Sequence, residues 1–272
     1  MIIVLAVILI ILLFVIGGER GIVTFISFCF NVVVLSISTM LLSWNWDPII
    51  VTFISCFLIC YITLCYQNGE NSKTIASFWS VIIVLLVLFA LSYYISYESH
   101  LGGINDLLRG EDELSGLSPD ININMAKIAV SMIITGLIGA ATDASISVSS
   151  AVYEVFKSNR YLSFQELFKS GIHIGSDILG ATVNTLYFAC LGESLTLFIL
   201  YKNYNYSILE VINSKAFFQE FVYIIFSCIS CILVIPLTAI FISYILKKPE
   251  KFKKFLEDDE LFPDLNEESR RG

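Results

Sequence analysis

Charge is scarce in this chain. Asp, Glu, Lys and Arg make up 15% of its 272 residues, against about 25% in soluble domains. Its apolar fraction of 57% points the same way, so a water-soluble fold is not expected. Histidine is nearly missing, with two in the whole chain, which leaves little for a metalloenzyme. There is no basic stripe to meet phosphates and the net charge is −8, which argues against nucleic acid as a partner. No HExxH, GxSxG, P-loop or Gly-rich dinucleotide fingerprint occurs. The expectation is a protein that is not an enzyme and needs no cofactor or metal.

What the chain does have is long apolar runs. A helix needs roughly 20 residues to cross a hydrocarbon core, and the runs fall at 2–17, 22–43, 49–66, 74–97, 124–153, 172–201 and 217–246. The predicted fold is therefore all-α, a polytopic transmembrane helix bundle of about seven spans over 1–246, followed by a charged tail over 247–272. The first run lacks a basic leading segment and a small-x-small cleavage site, so it reads as a retained span and not a signal peptide. Pro236 is expected to bend the last span. The seven cysteines all sit inside apolar runs. Cys228 and Cys231 have CxxC spacing, but no second pair, His or carboxylate stands nearby in the sequence to complete a zinc site. They read as small apolar fillers.

Orientation follows from Lys and Arg, which are retained in cytoplasmic loops. Placing the tail inside puts twelve of the sixteen basic residues there, among them Arg20, Lys73, Lys157, Arg160 and Lys169. Arg109, Lys127, Lys202 and Lys215 fall on the other side. The N-terminus is then outside and the C-terminus cytoplasmic.

One connector has structure of its own. Ser163 and Glu166 form a capping box, Leu162 and Leu167 stand where a hydrophobic staple would, and Gly171 suits a C-terminal cap. Phe164, Leu167 and Phe168 share a face. A short interfacial helix between spans five and six is expected, either as a plain connector or as a docking element for a cytoplasmic partner.

Ionisable residues inside a bilayer cost at least about 2.5 kcal/mol each and are functional candidates by default. In span five, Asp143, Ser147, Ser150 and Glu154 lie on one helical face. In span six, His173, Asp177, Gly180 and Asn184 do the same. Gly136 and Gly139, and the GxxxG pair Gly171 and Gly175 together with Gly180, are small enough for close helix packing. Depths measured from Glu154 and Gly171 place Asp143 roughly 16 Å in and Asn184 roughly 20 Å in. Two facing seams are expected, Asp143 opposite Asn184 and Asp177 opposite the serines, able to bind a cation, relay a proton or line a solute path. The other reading is that the serines, Asn184 and the glycines are interhelical glue, with each aspartate paired, for example to Arg20. The two aspartates resemble the dyad of an intramembrane aspartyl protease, but the YD and GxGD contexts are absent.

With both polar spans laid out, the sequence resembles the YibE/F family of bacterial multi-pass membrane proteins. The resemblance is carried by Gly18-Glu-Arg-Gly21, by Gly139-Ala-Ala-Thr-Asp143 continuing through Ser149-Ser150-Ala-Val-Tyr-Glu154, and by Leu162-Ser-Phe-Gln-Glu-Leu-Phe168. It continues through Gly171-Ile-His-Ile-Gly175-Ser-Asp177-Ile-Leu-Gly180-Ala-Thr-Val-Asn184-Thr-Leu and Ala189-Cys-Leu-Gly192. Thr142, Ser145 and Glu193 depart from the family pattern and alter the polarity of the seam. The chain looks like the shorter, YibF-like type. That likeness implies a bacterial inner-membrane location, a YibE-like membrane partner and a permease-like role for an unknown small solute or ion. A homo-oligomer, or a non-transporting scaffold or assembly subunit in the lipid bilayer, is the alternative.

Overall fold

A bilayer core offers no water to backbone N–H and C=O groups, so long apolar segments satisfy them internally as helices. The computed structural model has that form. It describes residues 1–98, 125–250, 252 and 261, and among these there is no strand. The acidic connector beyond Glu98, with Arg109, and most of the tail lie outside the described residues, as do the side chains of Glu193 and Lys215.

The helices are α1 (Ile2–Ser43), α2 (Pro48–Cys60, continued by a π-helical stretch Tyr61–Tyr66), α3 (Ser72–Glu98), α4 (Met125–Ser158), α5 (Phe164–Asn203), the short α6 (Ile208–Ile212) and α7 (Lys215–Lys247). Among the described residues, six helices are long and apolar enough to cross a membrane. The expected first two spans are arms of one helix, α1, broken at Gly18 with φ 54° and ψ −134°. That conformation is open to glycine and strained for other residues, so the chain changes direction without a loop. Phe14 and Phe25 would stand about 16 Å apart along a straight helix, yet their ring centroids are 6.0 Å apart. A side chain on Gly21 would overlap the carbonyl of Leu13.

The short interfacial helix expected before span six is not a separate element. Its residues are the first turns of α5, which runs unbroken for 40 residues. The capping box does form: the Ser163 N–H donates to Glu166 Oε2 at 2.7 Å, and the Glu166 N–H donates to Ser163 Oγ at 3.3 Å. Gly171 is no cap, because the helix continues through it and packs there. α7 likewise continues through Pro236.

α4 is the hub, packed against α2, α3, α5 and α7. Its buried positions include Leu137, Ala141, Ala144, Val148 and Val152. α1 touches α2 and its π-helical continuation, and much of its apolar surface is left for lipid. Small residues allow the close approach typical of membrane helices. On Gly171, a Cβ would stand 2.8 Å from Ala239 Cβ and 2.9 Å from Val152 Cγ2. On Gly175 it would overlap Ile235 Cγ2 and stand 3.4 Å from Val148 Cγ2.

Lys73, Arg160 and Lys247 lie at one end of the bundle. Lys73 Nζ lies 4.6 Å over the Tyr153 ring, Lys247 Nζ lies 5.2 Å over Phe156, and Lys247 donates to the Arg160 carbonyl at 3.4 Å. Gln67 reaches Thr24, four residues past Arg20, at 3.3 Å. The opposite end carries Asp47, the N-cap of α2, whose carboxylate accepts from the Ile49 N–H at 3.0 Å and from Lys127.

Candidate intramembrane polar site

Helical periodicity places Gly136, Gly139, Asp143, Ser147, Ser150 and Glu154 along one side of α4. Asp143, Ser147 and Glu154 are exposed and Ser150 is half-buried. Gly139 has open space where a Cβ would be, so it does not pack as expected, whereas Gly136 lies directly under the Tyr223 ring of α7.

On α5 the polar residues again share a side, and that side points away from the bundle. His173, Asp177, Gly180 and Asn184 are all exposed. Leu167, Gly171, Gly175 and Cys190 are buried on the opposite side. Gly180 has no neighbour within 4 Å and so makes no packing contact either.

The expected rungs between the two seams therefore do not form. α5 meets α4 through Gly171 and Gly175 against Val152 and Val148, and that apolar contact turns both polar sides elsewhere. Among the described residues, Asp143 and Asn184 make no side-chain hydrogen bond or ion pair. Neither aspartate pairs with Arg20, whose carbonyl accepts from Thr24 at 2.9 Å. Asp177 is approached by His173 one turn away: Nδ1 to Oδ2 is 3.8 Å, with side chains 82% and 77% exposed. An adjacent imidazole and carboxylate can hold and pass a proton, and a carboxylate can bind a cation.

A second polar region was not expected. Between α1, α2, α4 and α7, toward the end that carries Asp47, lies a cavity of about 460 Å³. Ser38, Thr39, Thr52, Ser55, Ser131 and Thr135 bring hydroxyls to its wall, and Gln219, Glu220 and Tyr223 complete its polar lining. Gly136 is part of the wall, so the polar side of α4 begins at the cavity. The hydroxyls come from three helices, and no single helical period reveals them. Glu220, a carboxylate inside the last apolar run, was the available signal.

A family model described as YibE/F-like protein matches residues 5–248. The chain belongs to the YibE/F-like family. With its apolar helices, this makes it a multi-pass membrane protein. Searches of the curated proteins and of the solved structures find no match. The matched stretch of this YibE/F-like chain contains both polar sides and the cavity.

The glue in this YibE/F-like bundle comes from serines other than those on the Asp143 side. Ser77 and Ser149 share a hydrogen bond of 2.7 Å, joining α3 to α4, and Ser145 bonds Thr238 of α7 at 2.8 Å. At the basic end, Phe164 is 39% exposed. Phe168 packs against the core and Leu167 is fully buried, so the expected three-residue docking face is divided.

Proposed function

We propose that the chain is a permease-like component of a transport system in the bacterial inner membrane, its basic end in the cytoplasm, handling an unknown small solute or ion along the polar sides of α4 and α5. The observation that supports this best is Asp143, a carboxylate well inside α4 that is exposed and has no partner among the described residues. Facing lipid would cost it about 2.5–3.5 kcal/mol, and packing does not require a carboxylate. The side that carries it runs from Gly136 at the cavity to Glu154 at the basic end. The 18 helical steps between them span roughly 27 Å, close to the roughly 30 Å of a hydrocarbon core.

The test is flux in reconstituted vesicles loaded with the pH dye pyranine, under an imposed potassium diffusion potential. Asp143→Asn and Asp177→Asn are expected to insert and fold normally but to lose the wild-type flux. Equal flux in wild type and both variants contradicts the proposal.

The second reading, a scaffold or assembly subunit working with a YibE-like membrane protein, is favoured by one observation. The polar side of α5 points away from the chain's own bundle, where a partner helix would satisfy it. Asn184→Leu is then expected to release a co-purifying membrane protein while flux through the remaining chain is never detected.

A further inference from the structure

The polar side of α5 follows a stricter pattern than exposure alone requires. His173, Asp177, Gly180, Asn184 and Tyr187 are all exposed, and the steps between them are four, three, four and three residues. That alternation has the 3.5-residue period by which one helix follows another in a left-handed pair. The stripe runs for roughly 21 Å. Gly180 stands at its centre, roughly 14 Å beyond Gly171 and so near the middle of a hydrocarbon core of about 30 Å. A Cβ on Gly180 would meet nothing within 4 Å, so the helices of the chain itself leave this surface bare.

A carboxylate facing lipid costs about 2.5–3.5 kcal/mol, and an amide with no partner adds to that. The stripe therefore needs a cover. A second copy related by a two-fold axis makes a demand that no other partner makes: each group must complement its own twin. The groups of this stripe do so. The Asn184 amide carries both donors and an acceptor, so it can give and receive across the axis. Gly180 against Gly180 lets the two backbones approach closely. Asp177 against Asp177 would repel, but the two His173 rings in the adjacent layer supply one donor for each carboxylate. Within one chain that donor falls short, because Nδ1 stands 3.8 Å from Asp177 Oδ2, beyond hydrogen-bond distance. An axis along the membrane normal keeps both copies in the same orientation.

We propose that two copies of this chain pair across α5, crossing at Gly180. Asn184 of each copy bonds to the Asn184 of the other, and the His173 and Asp177 groups of both copies form one intramembrane cluster. The second copy thereby closes the α5 side of the path, which a single chain leaves open to lipid.

The test uses the full chain in lipid vesicles, with the native cysteines replaced and single cysteines introduced. Tyr187→Cys, on the stripe, is expected to give a disulfide-linked dimer on copper–phenanthroline oxidation. Thr185→Cys, exposed but off the stripe, is not. Subunit counting by single-molecule photobleaching is expected to show dimerisation weakened about tenfold or more in Gly180→Leu, and about fivefold or more in Asn184→Leu. Thermal unfolding of both variants should match wild type, since neither side chain touches the core. Three results overturn the proposal: a wild type that stays monomeric at every protein-to-lipid ratio, dimers that both leucine variants leave unchanged, or cross-linking by Thr185→Cys in place of Tyr187→Cys. Should Gly180→Leu fail to fold, unchanged dimers in Asn184→Leu overturn it equally. Cross-linking and counting are read without flux, so failure of the Asp143 pathway leaves this result standing, and the reverse also holds.

Discussion

Lys127 Nζ lies 2.5 Å from Asp47 Oδ2, joining the first turn of α4 to the N-cap of α2 across 80 residues of sequence. The same carboxylate also caps the α2 backbone. The hydrogen bond from Lys127 is the largest influence holding the Asp47 carboxyl below its ordinary value of 3.8, and the Ile49 N–H adds to it.

Asp47 is therefore expected to matter as a cap more than as a charge. Asp47→Asn keeps an acceptor and should cost under about 1 kcal/mol, as exposed pairs do. Asp47→Ala loses the cap as well and should cost about 1–2 kcal/mol. Denaturation of the detergent-solubilised protein, followed by intrinsic fluorescence, separates the two. Because the folded carboxyl titrates below its unfolded value, its contribution is complete above about pH 3.8 and is lost as pH falls further. Wild type and Asp47→Asn should converge in stability only in that acid range.

Two glycines on α5 are expected to respond oppositely. Gly175→Ala places a methyl on Ile235 and should cost about 1–3 kcal/mol through overpacking. Gly180→Ala meets nothing and should be neutral, or stabilising by up to about 1 kcal/mol from helix propensity. Thermal unfolding in detergent is the measurement. A loss at Gly180 with none at Gly175 would mean that α5 packs by a different side.

Much of this was legible in the sequence, and the failures have one cause. The apolar runs located the membrane helices because a bilayer leaves the backbone no alternative to a helix. Ser163 and Glu166 announced their cap because capping is local. Periodicity also grouped Asp143 with Ser147 and His173 with Asp177 correctly. It could not say which side of each helix meets the other, because that is decided by shape. Gly171 and Gly175 let α5 sit closely on Val148, Val152, Ile235 and Ala239, and the polar sides were turned outward as a result. The single-residue corner at Gly18 was similarly hidden, since a glycine pair between apolar runs reads as a loop and as a bend alike.

The buried hydroxyl pairs are expected to be modest contributors. Ser149→Ala leaves the Ser77 hydroxyl without its 2.7 Å partner, and such contacts in membrane proteins average about 0.6 kcal/mol with a maximum near 1.7. A double-mutant cycle over Ser77 and Ser149 should return a coupling in that range. Ser147→Ala, on the exposed polar side, should leave stability unchanged.

Whether water reaches the polar side of α4 is the most direct test of its assignment as a solute path. Ser147→Cys, in a background with the native cysteines replaced, should react with a membrane-impermeant thiol reagent in sealed vesicles, within about tenfold of an exposed loop site. Leu91→Cys, on the apolar surface of α3, should stay unreacted. A Ser147→Cys as inert as Leu91→Cys would mean that the Asp143 side is dry, and would contradict the assignment.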